Sequence, residues 1–247
     1  MKSIVIGGVS YDTIVQLSEL PSPISQTIFS SQTYDMIGST GSGKAIALKK
    51  LGFDVKLQGV IGQDEYGKKL RIRFENEQIP FLYEIDKSKT ERHLNLMDNQ
   101  GKRISIFLSN ISFEQEFDYN QLSPFIQEAD YVILNIINYC RNYIPIIRKL
   151  HKDIWCDLHD YDGKNPYYQD FIDAADYIFF SSDLVEDYKP IMSSWILKGK
   201  KLVICTHGNK GASCLTNNDI WYEEPINSSF QLVDSNGAGD NFFAGFL

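Results

Sequence analysis

With 247 residues, 43% of them hydrophobic and 23% charged, the chain has the apolar mass for one large core and too few charges for a disordered coil. A formal net charge of −8, with no long run of Lys or Arg, excludes a binding mode that rests on neutralising nucleic-acid phosphates. The four cysteines Cys140, Cys156, Cys205 and Cys214 show no CxxC spacing; this excludes a disulfide scaffold and reads as reduced thiols.

In chain order, the opening MKSIVIGGVSYD offers an apolar run too short for the core of a signal peptide. No later stretch is long enough to span a bilayer, so a cytoplasmic protein is expected. Short β-rich runs follow: SIVI near the start, VKLQGVI at 55–61, YVILNI at 131–136, DIWCDL at 153–158, YIFFSS at 177–182 and KLVICTH at 201–207. Between them lie amphipathic stretches such as AIALKKLG, EYGKKLRIRFENEQ, YIPIIRKLHK and LVEDYKPIMSSWIL. This rhythm predicts an α/β fold with a mostly parallel sheet covered by helices on both faces.

Residues 13–37 and 81–110 break the rhythm. In the second, FLYEI, RHLNLMD and KRISIFLS alternate like half-exposed antiparallel strands around the turn DNQGK, which predicts a small β-sheet projecting from the main body as a lid, with edge strands of the main sheet as the alternative. Phe29, Tyr34 and Phe107 in these regions could stack on a ring, although such spacing more often marks core. No linker divides the chain, so residues 1–247 read as one domain. At the end, NFFAGFL opens a helix that stops at Leu247 without a polar cap.

Two glycine clusters compete for phosphate chemistry. GSTGSGKA at 38–45 falls one side chain short of a P-loop: Ala45 lacks the hydroxyl that ligates Mg²⁺, and the lead-in SSQTYDMI is too polar for a buried central strand. It reads as a tight glycine turn opening a helix, with Lys44 in the first turn, its charge opposed to the helix dipole and its side chain solvated. In FQLVDSNGAGDNFFAGFL, a β-type run leads to Asp234, Gly237, Ala238 and Gly239 let a ligand approach the backbone, and a helix begins near Asp240. N–H groups there could hold a transferring phosphoryl group while a carboxylate takes a proton from an attacking hydroxyl.

DSNGAGDNFFAGFL closely resembles the carboxy-terminal signature of the ribokinase-like (PfkB) carbohydrate kinases, DTxGAGDxFxAGF. GGVSYD, GSTGSGKAIALKKLG, GVIGQDEYG and THGNKGA resemble further family motifs in the family's order. The resemblance implies a three-layer, Rossmann-like α/β domain with a β-lid, using ATP and Mg²⁺ to phosphorylate a hydroxyl of a small sugar or nucleoside. It implies Asp240 as catalytic base and Gly237, Ala238 and Gly239 as anion hole. Asp12, Gly38, Gly43 and Lys44 fall on the substrate side. Asp183, Thr206, Gly208 and Gly211 fall on the nucleotide side, with Glu186 on Mg²⁺ through a water. Asp234 corresponds to the neighbourhood of a monovalent-cation site, K⁺ in some members. A homodimer through the lid is a further expectation.

The chain departs from the family pattern in three places. Gly43 stands where the family has an Asn; DLHDYDG at 157–163 lacks the Arg of DxNxR and places His159 at a strand end; and the family's last helices, which complete the nucleotide pocket, are missing after Leu247. Two other readings remain: a relative that binds a sugar or regulates without catalysis, and a P-loop NTPase.

Overall fold

The computed structural model describes residues 1–227 and 236–247. The amino-terminal half comprises β1 (Lys2–Ile6), β2 (Ser10–Gln16), β3 (Gln32–Gly38), α1 (Thr40–Lys50), β4 (Asp54–Gly62), α2 (Glu65–Asn76), β5 (Phe81–Asp86), β6 (Arg92–Met97) and β7 (Arg103–Ser109). Then come α3 (Ser123–Glu128), β8 (Tyr131–Leu134), α4 (Ile144–Lys149), β9 (Ile154–Asp157), α5 (Gln169–Ala174), β10 (Tyr177–Ser181) and α6 (Tyr188–Leu197). The chain closes with β11 (Leu202–Thr206), β12 (Ala212–Thr216), β13 (Trp221–Glu224) and α7 (Ala238–Phe246).

Among the described residues, nine strands form one sheet in the order β13-β12-β11-β10-β9-β8-β1-β4-β5. All neighbours from β11 to β5 run parallel, and β12 and β13 add an antiparallel edge. The apolar run of β1 shows why helices cover both faces: Ile4 and Ile6 join one buried cluster and Val5 the other. β10 repeats this, with Ile178 and Phe180 on one face and Phe179 on the other. Continuous apolar strands of this kind are stable only between two helical layers.

β3-β2-β6-β7 form a second, four-stranded sheet. Its anchor is Asp64, the N-cap of α2, whose carboxylate accepts from the backbone N–H of Tyr66 and Gly67 and from both the N–H and the hydroxyl of Thr90, just before β6. Tyr11 of β2 lies 5.6 Å from the Tyr66 ring, and the Arg92 guanidinium stacks over that ring at 3.8 Å.

FLYEI at 81–85 does not belong to this small sheet, contrary to the lid reading and in line with the alternative of a main-sheet edge strand. It is most of β5, paired in parallel with β4 at the edge of the large sheet. Phe81 packs 4.7 Å from Phe74 of α2. An edge strand covered on one face has the same half-buried alternation as a lid strand, and only its pairing separates the two.

Candidate active site

Among the described residues, several of those singled out in the sequence follow the carboxyl ends of parallel strands, where ligands of open α/β sheets sit. β1 ends in Gly7 and Gly8, and α1 starts against them: the N–H of Ser42 donates to the Gly8 carbonyl at 3.1 Å. A Cβ at Gly41 would stand 2.5 Å from that carbonyl oxygen. The expected glycine turn at 38–45 is therefore mostly helix, and its glycines serve close packing. Ser39 caps α1 at φ 67 and ψ 153, backbone that favours glycine.

Asp12, 5% exposed, sits on β2 facing β6. Its carboxylate accepts from the Asn95 amide at 3.2 Å and from the His93 backbone N–H at 3.3 Å, and lies 3.2 Å from His93 Nδ1. Burial lowers the His93 pKa, but hydrogen bonds to Asp12 and Glu91 outweigh it and hold the imidazole up at about 9. Gly38 makes room for this cluster, since a Cβ there would lie 2.0 Å from Asp12 Oδ2.

Six residues span Gly38 to Gly43, and at the far end a Cβ on Gly43 would lie 2.1 Å from Asp240 Oδ2. One short segment thus touches Asp12 at one end and Asp240 at the other. Asp240 lies in the first turn of α7, 9% exposed. Gly237 precedes the helix at φ 72, and its carbonyl accepts from both the backbone N–H and the side-chain amide of Asn241. The first N–H groups of a helix have no acceptor within it and carry partial positive charge, so 237–239 can receive an anion beside the carboxylate. The backbone at Gly239 is open, with nothing within 4 Å of a Cβ built there.

Lys44 corrects the sequence-based expectation. Its side chain is 0% exposed, with Nζ 2.6 Å from Asp240 Oδ1 and 2.9 Å from Asp157 Oδ2. α1 turns this side chain toward α7 because the absent Cβ at Gly43 lets the two helices close up. Burial alone would lower its pKa, but the Asp157 and Asp240 carboxylates outweigh burial and hold it above the ordinary lysine value. Asp157 ends β9; burial pushes its carboxyl up, and His159 and Lys44 outweigh this and draw it down. His159, at φ 50, donates its N–H to Asp157 Oδ1, and burial lowers its own imidazole.

Among the residues expected on the nucleotide side, Thr206 ends β11. Gly208 opens a short turn that closes through His207 N–H to the Gly211 carbonyl at 2.8 Å. Gly211, at φ 103, would place a Cβ 2.0 Å from the Glu224 carbonyl. His207 lies between the hydroxyls of Ser182 at 2.9 Å and Ser213 at 2.7 Å, and Ser213 Oγ is 2.5 Å from Glu223. A carboxylate only accepts, so Ser213 donates to Glu223 and accepts from His207 Nε2–H, leaving Nδ1 to accept from Ser182. Asp183 and Glu186 are exposed in the loop after β10. Asp234 lies outside the described residues.

Sequence reasoning missed Asp157, His93, Asn95 and Asn135. Asp157 had a signal, a carboxylate closing the apolar run IWCD at a strand's carboxyl end; His93 and Asn95 had only their alternation in RHLNLM. Asn135 accepts from the Thr40 hydroxyl and donates to the Ile6 carbonyl, fastening α1 to β1, and nothing in the sequence marks that.

The chain is similar over 99% of its length to the acarbose 7(IV)-phosphotransferase of Actinoplanes sp., at 27% identity over 83% of that protein. It is 28% identical to a fructosamine kinase of Bacillus subtilis, with 85% of the chain and 75% of that protein aligned. A solved microbiome-derived acarbose kinase superimposes with TM-score 0.89 at 29% identity, covering 99% of this chain and 84% of that one. Arabidopsis thaliana ribokinase complexed with ribose and ATP superimposes at 0.79 and 20% identity, over 99% and 84% of the respective chains, a likeness of fold. The model of the pfkB family carbohydrate kinases matches residues 37–247, the stretch that holds the Gly43–Asp240 contact and the α7 amino terminus, and the chain belongs to that family.

Proposed function

We propose that this kinase moves the γ-phosphoryl group of ATP to a hydroxyl of a sugar or nucleoside lying between Asp12 and Asp240. The observation behind this reading is the 38–43 segment, which has the buried Asp12 carboxylate at one end and the Asp240 carboxylate, at a helix amino terminus, at the other. Asp12, as an ionised acceptor, hydrogen-bonds substrate hydroxyls. Asp240 takes the proton of the attacking hydroxyl as its oxygen bonds to the γ-phosphorus. The bond from that phosphorus to the bridging oxygen breaks with its electrons leaving on ADP, and the N–H groups of 237–239 meet the charge on the transferring group.

Thr206, Gly208 and Gly211 form the phosphate-facing turn of this scheme, supported by the His207–Ser213–Glu223 network beneath. Mg²⁺ would neutralise phosphate charge, held by the nucleotide with Glu186 through a water and Asp183 beside it. Both carboxylates are exposed, and no group of three or more His, Cys, Asp or Glu suited to a metal occurs among the described residues. That donor set suits a cation carried in on phosphates. A K⁺ site near Asp234 belongs to the same proposal, as does the small sheet acting as a lid over the acceptor. Free cysteines at 140, 156, 205 and 214 and ATP as donor support a cytoplasmic setting. No helix among the described residues is long and apolar enough to cross a membrane.

The acceptor is tested by ADP release across a panel of ribose, fructose, acarbose, fructoselysine and adenosine. With the best of these, Asp240→Asn is expected to lower kcat by at least about 100-fold while sugar binding by calorimetry survives. Near-normal turnover would falsify Asp240 as the base.

A further inference from the structure

Asp240 is not held by its own helix alone. Lys44 Nζ reaches Oδ1 at 2.6 Å, and Oδ2 lies over the bare backbone of Gly43. Two consecutive residues of α1 therefore meet the carboxylate, Lys44 by pairing with Oδ1 and Gly43 by leaving room for Oδ2. Distances of 2.6 and 2.9 Å from Nζ to the two carboxylates are those of charge-assisted hydrogen bonds. A wholly buried ammonium is tolerable only with such partners.

One lysine here has two carboxylates, and the second has its own fastening. Asp157 Oδ1 accepts the His159 backbone N–H at 3.0 Å, and its Oδ2 stands 3.3 Å from His159 Nδ1. The titratable groups facing Lys44 are thus Asp157 and His159 from the end of β9 and Asp240 from α7, with the Phe243 ring 5.2 Å away. If Asp240 were the only partner, its protonation would leave a buried, unpaired cation at a cost of several kcal/mol. With Asp157 in place, Lys44 stays balanced as the proton arrives.

We propose that Lys44 is the positioning residue of Asp240, holding Oδ1 so that the carboxylate is presented to the acceptor in one orientation, and that Asp157 is the standing counter-ion that keeps Lys44 paired through proton transfer. This rests on the carbohydrate-kinase reading in which Asp240 is the base, and it names two residues that act through it without touching the transferring group.

The two residues make opposite demands on the pH dependence, which a merely structural role does not. In Lys44→Met the two carboxylates lose their shared cation, so the acid limb of kcat moves to higher pH. In Asp157→Asn the ammonium is left to Asp240 alone, so the limb moves to lower pH. Both variants are expected to lose about 10-fold or more in kcat with KM for ATP within about twofold. Gly43→Ala, which forces the carboxylate aside, loses kcat likewise.

Carboxyl ¹³C NMR titration of the full chain, with no acceptor present, reads the same opposed displacements directly, and acarbose or ribose with ATP provides the kinetic arm. If Lys44→Met does not fold, the Lys44→Met/Asp157→Asn double variant removes ammonium and counter-ion together. It is expected to fold and to keep the loss in kcat. Unmoved limbs and wild-type kcat in these variants, beside an inactive Asp240→Asn, overturn the positioning role. An active Asp240→Asn overturns the base assignment instead.

Discussion

At the scale of single residues, Asp12 lies within a set of polar side chains that contact one another. Asp12 is met by Asn95 and His93, Ser105 donates to Asn95, and the exposed Phe107 ring lies 4.2 Å from His93. His93, with its pKa at about 9 against 6.5 for the unperturbed side chain, binds a proton more tightly folded than unfolded. Its contribution to stability is therefore complete below about pH 6.5 and is lost as pH rises toward 9. His93→Gln should lower the melting temperature more at pH 6 than at pH 9.5; equal losses at both would mean that the imidazolium pairing contributes nothing. The 38–45 stretch shows how far residue types alone lead. Lys44 in the first turn of a helix reads as a solvated cation until the partners from 157 and 240 are in place, and Phe29 and Phe107, which read as core, are 88% and 61% exposed.

At the scale of elements, the motif GVIGQDEYG acquires a physical meaning. Asp64 caps α2 and at the same time ties Thr90, the entry to β6, so one carboxylate joins the large sheet's helix to the small sheet. Hydrogen bonds from these donors draw its carboxyl pKa down against a burial effect in the other direction. Gly62 and Gly67 are small for the same junction: a Cβ at either would lie 2.4 Å from backbone at Thr90 or Gly62. Asp64→Ala removes a cap and an inter-element tie together and should cost about 1–3 kcal/mol, a fall of several degrees in melting temperature. A change under one degree would show that neither tie matters. β5 shows the complementary limit, because half-buried alternation is common to an edge strand and a lid strand.

At the scale of the whole molecule, the small sheet has two unlike faces. His93, Asn95, Ser105 and Phe107 share the face of Asp12, by strand alternation Ile104 and Ile106 share the other, and Leu108 follows at the irregularity where the β6–β7 register shifts. These three are 39%, 42% and 49% exposed on β7, an edge strand whose outer ladder is unpaired among the described residues. An exposed apolar edge of this kind favours pairing with another strand. Self-association through β7 predicts a dimer in light scattering that the Ile106→Lys/Leu108→Lys variant converts to a monomer. A monomeric wild-type protein at tens of micromolar would dismiss it. Nucleotide binding belongs to the same scale: ATP with Mg²⁺ at about 100 times Kd should stabilise the fold by about 2.7 kcal/mol, read as a rise in melting temperature that the Gly211→Ala variant loses.

The sequence by itself determined the α/β class, the positions of most buried strands along the chain, the glycine-rich start of α7 and Asp240 within it. Each is written locally, in runs of apolar residues, in positions where a side chain has no room, and in one long motif. Tertiary structure alone decided that Phe81–Asp86 joins the large sheet, that Lys44 is buried between Asp157 and Asp240, and that Gly43 is small because α7 lies against it. Those outcomes depend on residues far apart in the chain, 196 positions in the case of Lys44 and Asp240. A buried charge is identified by its partners, and the partners are brought to it only by the fold.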